Sequence, residues 1–258
     1  MFFKKKKENA PRTVKIKTII CIPGIWRDRT DLATSIFNNN ANEYIFAGNV
    51  LLNTKTEQHF EIEVFDRDER MVNSFKVAGM VNQLGNSYLS EIDKHNTVVY
   101  LIGEGGSLEK AEAIAKAAQA ILNAGGRGVK VETAGKAFTT EQWTNLVAGE
   151  PQSNLYRMFV LDSITENETK TVFSCGMHNL GLKDTIISGT TLEESLNIIS
   201  IFSYYQIMDK PVIGHGQTFS KAADSPIYQI LEEPTPPYSG MELFENPYGM
   251  WRLQRKSS

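Results

Sequence analysis

Val98-Val99-Tyr100-Leu101-Ile102 is a continuous apolar run, and a strand of this kind has to be covered on both faces. It therefore asks for a sheet with helices packed on it, which excludes an open ribbon or a purely helical bundle. The clearest helix of the chain follows at once. Ser107 to Asn123 is rich in Ala, Glu and Lys, with Ser107 as a candidate N-cap and Gly125-Gly126 as the stop.

Around this pair the alternation of strand and helix patterns can be read in both directions. Upstream, Val14 to Ile22 is a strand stopped by Pro23-Gly24, and Asp28 to Phe37 a short helix. Tyr44 to Leu52 and Phe60 to Val64 are strands joined as a hairpin, and Met71 to Ile92 is a long helix with glycines at 79 and 85. Downstream, Val129 to Glu132 alternates as a strand, and Thr139-Thr140-Glu141-Gln142 is a capping box opening a helix to Gly149. Leu155 to Leu161 and Lys170 to Cys175 read as a second hairpin around Thr165-Glu166-Asn167-Glu168. A loop over 176–190 leads to a mostly apolar helix capped by Thr191, and Ile227 to Leu231 and Met250 to Leu253 are closing strands.

Each half thus has the order βαββαβ, the split βαβ arrangement. The expected fold is α+β: two fused ferredoxin-like units with mainly antiparallel sheets and helices packed on them. Residues 1–12 form a flexible basic tail, 13–106 the first unit, 107–126 a connecting helix, and 127–258 the second unit with a Pro/aromatic C-terminal strap. No Pro/Ser-rich linker separates the halves, so one packed body is expected.

Composition narrows the function classes. The 258 residues carry 27 Lys+Arg against 30 Asp+Glu, a formal net charge of −3, which provides no global basic field for nucleic acid. Lys4 to Lys7 are followed by Glu8-Asn9-Ala10-Pro11-Arg12 instead of an apolar segment, so no secretory signal is read. Leu196 to Met208, interrupted by polar residues, falls short of the ~20 residues that span a bilayer. Two cysteines, Cys21 and Cys175, make no disulfide framework, and a cytoplasmic location is expected.

Candidate chemistry is sparse. Gly103-Glu104-Gly105-Gly106-Ser107, between a strand and a helix, echoes a dinucleotide turn; Leu108 stands at the third glycine position, and Glu104, Glu109 and Glu112 oppose a phosphate. The same residues also make an ordinary helix cap. Cys175 and His178 could form an activated thiol–imidazole pair, or be a buried strand-end thiol and a loop histidine. Asp66, Asp68 and Glu69 are interleaved with Arg67 and Arg70 as in a solvated charged turn. No metal site and no cofactor are read from the four histidines. The segment Pro234 to Trp251 concentrates proline and aromatic residues into a strap that either packs on the body or presents anchors to a partner. If the loop over 176–190 folds back along the apolar helix to meet Gly214-His215-Gly216-Gln217-Thr218, then His178, Asp184, His215 and Gln217 line one polar binding patch at a sheet edge. The bland alternative is two separate turns facing water.

Gly176-Met177-His178-Asn179-Leu180-Gly181-Leu182-Lys183-Asp184, followed by the apolar helix and the turn at Gly216-Gln217-Thr218, resembles bacterial proteins that carry an uncharacterised domain of unknown function. The resemblance covers about residues 150–253 and marks Gly176, Gly181 and Asp184 as signature positions; no acidic residue precedes Thr218 here. It brings no catalytic residue. Without a convincing catalytic constellation, the leading expectation is a non-enzymatic protein-binding protein, of the immunity type that neutralises a cognate bacterial toxin. The alternatives are a cysteine-dependent hydrolase or transferase using Cys175 and His178, and a nucleotide or metabolite sensor using Gly103 to Ser107.

Overall fold

The computed structural model describes residues 15–165 and 171–256. The lysine run, the basic tail over 1–12 and the turn residues Glu166, Asn167 and Glu168 lie outside them. Among the described residues the fold is mixed α+β, built on two mostly antiparallel sheets.

The first sheet uses β1 (Lys17–Gly24), β2 (Tyr44–Ala47), β3 (Val50–Asn53), β4 (His59–Asp66), β5 (Thr97–Glu104), β6 (Val129–Val131) and β7 (Lys136–Phe138), in the order β2-β3-β4-β5-β1-β6-β7. Every pairing in it is antiparallel. The central strands β1 and β5 pair along eight residues, Lys17 opposite Glu104 through Gly24 opposite Thr97. Because β5 lies between β4 and β1, and β1 between β5 and β6, two crossovers interlock. The helix α1 (Arg29–Asn39) precedes the β2-β3 hairpin on the way from β1 to β4, and α4 (Leu108–Asn123) joins β5 to β6.

Both helices lie on one face of this sheet. Ile20, Ile22, Val99, Leu101, Val129 and Val131 point into a core shared with Leu32 and Ile36 of α1 and Ile114, Ala118 and Ile121 of α4. The opposite face carries α2 (Met71–Ala78) and α3 (Asn86–Asp93), whose Met71, Phe75, Leu89 and Ile92 pack on Cys21, Val98 and Ala137. The apolar run at 98–102 is therefore covered by α1 and α4 on one face, while on the other α2 and α3 cover its Val98 end and leave Ile102 half-buried at an open depression.

Several elements depart from expectation for local reasons. Tyr44 to Leu52 is a tight hairpin and not one strand, because Gly48 takes φ +54° and reverses the chain. The segment 71–92 is two helices, broken between Gly79 and Gly85, where Gln83 adopts φ +54°. Leu155 to Leu161 is mostly helix: α6 (Pro151–Phe159) starts with proline in its first turn, and its buried Leu155, Tyr156, Met158 and Phe159 follow helical spacing. It follows α5 (Thr140–Ala148), which opens with the expected capping box of Thr139 and Gln142.

The second sheet runs β11-β12-β13-β10-β9-β8. It contains β8 (Leu161–Thr165), β9 (Thr171–Cys175), β10 (Asp184–Ile187), β11 (Thr218–Phe219), β12 (Tyr228–Glu232) and β13 (Met250–Arg255). The expected hairpin is present as β8-β9, but 176–190 is no simple loop, since it contains the fully buried strand β10, parallel to β13. The helix α7 (Leu192–Met208) covers one face through Ile198, Ile199 and Phe202. Tyr238 and Phe244 of the strap cover part of the other, against Cys175, Ile186 and Met250.

The pair of fused ferredoxin-like units is not confirmed. Val129 to Glu132, expected to begin the second unit, completes the first sheet, and the helix expected to connect two units is a crossover inside that sheet. The sheets are joined by the 3₁₀ turn Met177–Leu180, whose Met177 and Leu180 sit in the core under α4 while its chain continues into β10. Expressed separately, 1–126 and 127–258 should each fail to unfold cooperatively in urea, because the cut removes β6 and β7 from the first sheet. Two stable, cooperative fragments would contradict this architecture.

Candidate functional site

The turn at 176–181 is held by backbone conformations that its sequence makes possible. Gly176 and Gly181 both have positive φ, +115° and +79°, and a Cβ on them would collide with the carbonyl oxygens of Phe159 and Gly106. Only glycine lets the turn approach the two neighbouring segments so closely. Asn179, wholly buried between these glycines, uses both ends of its amide. Its Oδ1 accepts from the hydroxyls of Thr18 at 2.9 Å and Thr133 at 2.8 Å, and its Nδ2 donates to Gly176 O at 2.9 Å. Its carbonyl accepts from Gly106 N at 3.0 Å.

Asp184, the first residue of β10, is fully buried and not at a sheet edge. Its carboxyl accepts from Tyr238 OH at 2.8 Å, Asn246 Nδ2 at 2.7 Å, Met177 N at 3.1 Å and Ser174 Oγ at 3.3 Å. One side chain thus ties the 3₁₀ turn, β9 and the strap together. Burial raises its pKa to about 6 despite these four donors.

His178 is also buried, and loss of water lowers its pKa to about 4, so the ring is neutral at pH 7. Its Nδ1 has no partner. Cys175 is three residues away, but burial, with a smaller contribution from Asp184, pushes its thiol well above the ordinary value. A neutral imidazole and a neutral thiol lack the charge separation that activates a cysteine nucleophile. His215 and Gln217 share no hydrogen bond with His178 or Asp184. His215 Nδ1 accepts from Glu232 N at 3.2 Å, and Gln217 Oε1 accepts from Gly214 N at 3.0 Å, so both serve the exposed turn before β11. The turn at Gly103 to Ser107 also spends its amides internally: Gly105 N donates to Ile16 O, Gly106 N to Asn179 O, and Lys110 N to the Ser107 hydroxyl.

His178 lines a cleft of about 760 Å³ between the start of β1, Thr133 and the strap residues Pro236 to Pro247. Through Ile19 and Leu243 this cleft runs into a shallower depression over Glu63, Phe65, Tyr100, Ile102 and Glu132. The strand register explains why these side chains share a surface. Glu61 pairs with Ile102, Glu63 with Tyr100 and Ile19 with Ile102, while Val50 faces Glu61 and Ile45 faces Leu52. All project from the face that α2 and α3 cover only at its Val98 and Ala137 end. The remainder leaves Phe65 52%, Val50 43% and Ile45 39% exposed, alongside Leu243 of the strap at 44%.

A second cleft, of about 670 Å³, was not legible in the sequence. It is lined by Lys136, Arg157, Tyr156, Asp162 and Tyr204 with neighbours from α5 and α7. Lys136 is a strand residue in an otherwise small and apolar stretch, Ala134 to Phe138, and that single charge was the available signal. Its ammonium is buried and donates to Arg157 O at 2.6 Å and Val160 O at 2.7 Å. Desolvation lowers its pKa to about 8.

With this geometry in place, comparison with known proteins finds no matching family model, no matching curated protein and no matching solved structure.

Two outcomes follow. At pH 7.5, Cys21 and Cys175 of the native protein should alkylate with iodoacetamide at least roughly tenfold more slowly than in the urea-unfolded chain; equal rates at Cys175 would reveal an accessible thiolate. At pH 4, Asp184→Asn should lower stability by about 2–4 kcal/mol, because the amide nitrogen cannot accept a hydrogen bond where a carboxyl oxygen does. An acid whose folded pKa is raised holds its proton more tightly when folded. Its stabilisation is therefore present below the unfolded pKa and lost as pH rises through about 6. The gap between wild type and Asp184→Asn in urea melts should shrink by up to about 3 kcal/mol between pH 4 and 6; a constant gap would contradict the assignment.

Proposed function

We propose that this chain is a non-enzymatic protein-binding protein, of the immunity type that neutralises a bacterial toxin, and that its partner docks on the open face of the first sheet. The observation that carries this reading is the set of exposed apolar side chains Ile45, Val50, Leu52 and Phe65 on one face of the first sheet, with Leu243 of the strap beside Ile19, left uncovered by α2 and α3. An exposed apolar surface of this kind marks an interaction site. Glu61, set beside Val50 by the register, and Glu132 are engaged by Lys17 and Lys130, while Glu63 and Glu242 make no ion pair among the described residues, which favours a partner that brings basic groups along with apolar ones.

The uncharged states of Cys175 and His178 support binding over cysteine catalysis, and the internal use of the amides at Gly105 and Gly106 supports it over a phosphate-binding turn. The resemblance to the bacterial family is part of this proposal, with Gly176, Gly181 and Asp184 as positions that build the junction under the surface. So are a cytoplasmic location and the reading of β4, β5, β1 and β6 with α1 and α4 as a ferredoxin-like unit.

The test is co-expression with the product of a toxin gene adjacent to its own, followed by calorimetry of the purified pair. The wild type should restore growth and bind. Val50→Glu and Phe65→Glu should each weaken binding by about 2 kcal/mol or more with little change in melting temperature. Absence of binding, or binding indifferent to both substitutions, would sink the proposal.

A further inference from the structure

The cleft around Lys136 is separate from the open sheet face and independent of the protein-binding reading. It lies where β7, α5, α6, β8 and α7 converge, and its volume of about 670 Å³ is that of a small-molecule site. Two cations line it, Lys136 in the wall and Arg157 at the exposed rim, and neither makes an ion pair among the described residues. The carboxylate opposite, Asp162, accepts the Tyr156 hydroxyl at 2.8 Å to each oxygen and does not close onto the lysine. Lys136 gives two of its three N–H groups to the neutral carbonyls of Arg157 and Val160 at the end of α6. Its charge is thus buried and hydrogen-bonded to neutral carbonyls, with Asp162 near enough to act on it electrostatically but in no direct ion pair with it.

A buried cation with no direct ion pair is costly, and with Arg157 at the mouth the cleft carries two cations against the one carboxylate of Asp162, so an anion entering it would relieve that cost. The two groups suit such a ligand in different ways. Lysine offers a point charge from within, and the arginine fork grips two oxygens of a planar or tetrahedral oxyanion at the mouth. Beyond them, the Tyr156 and Tyr204 rings, with centroids 4.8 Å apart, and the exposed Asn145 provide a wall for the rest of a molecule. We propose that this cleft binds a small organic anion through a phosphate or carboxylate group held between Lys136 and Arg157.

The groups facing Lys136 are Asp162 from β8, Arg157 and Tyr156 from α6, and Tyr204 from α7. Burial raises the pKa values of both tyrosines and of Asp162. Lys136, lowered by desolvation to about 8, is the cation among them that discharges as pH rises from 7 to 9.5. Affinity should therefore fall over that interval, with the fall displaced upward by bound anion.

Calorimetric titration of the full-length protein with inorganic phosphate, adenosine monophosphate and citrate at pH 7 tests this. Saturable binding of at least one is expected, with the nucleotide tightest if the natural group is a phosphate and citrate tightest if it is a carboxylate. Arg157→Glu, at an exposed position, should weaken binding by roughly tenfold or more without changing the melting temperature. Lys136→Met is the less clean variant because it leaves two helix-end carbonyls unpaired, so the pH series reports on the lysine in the unaltered protein. No saturable heat from any of the three probes at about 10 mM would overturn the proposal. So would binding unaffected by both Arg157→Glu and the rise in pH.

Discussion

The architecture depends on one buried amide. Asn179 sits at the only turn of 3₁₀ helix among the named elements and is hydrogen-bonded to β1 through Thr18, to the segment between β6 and β7 through Thr133, and to the start of α4 through Gly106. Burying an amide is unfavourable unless its donors and acceptors are met, and here they are met by Thr18 on β1, Thr133 in the β6–β7 turn and Gly176 of its own turn. The turn therefore has one position relative to that sheet. Since it leads directly into β10, the second sheet is located by the same bonds.

Asp184 extends this arrangement outward. A carboxyl group receiving donors from β9, the turn and two strap residues makes the strap part of the core and not an appendage. The same burial that makes the group structural removes it as a surface ligand. His178 and Cys175 share that fate: desolvation keeps one from being charged and the other from being ionised, which leaves chemistry at this junction without a nucleophile. The surfaces on which the two proposals rest lie elsewhere, in the half-covered face of the first sheet and in the cleft around Lys136.

Much of the fold could be read along the chain. The apolar run at 98–102 implied coverage on two faces, Ser107 and Thr191 accept from backbone amides as N-caps, and the box at Thr139 and Gln142 closes in both directions. These signals are local, and a helix cap or a buried strand is specified within a few residues. Local pattern misleads where a short segment satisfies two periodicities at once. Leu155 to Leu161 is apolar enough for a strand, and only the surface it meets on α4, α5 and α7 turns that pattern into a helical face.

By itself the sequence determined the class of fold, the place of 98–102 as a central strand, the caps and glycine turns, and the presence of a proline- and aromatic-rich strap. Tertiary structure decided which sheet each strand joined, because strand pairing is set by partners far along the chain and not by the residues of one strand. It also decided which polar residues meet water. Asp184 and His178 look like surface groups in a linear reading and are buried, whereas His215 and Gln217 stay in an exposed turn. The Lys136 cleft exists only because β7, α6 and α7, drawn from separate stretches of chain, converge around a charge whose burial no local pattern records.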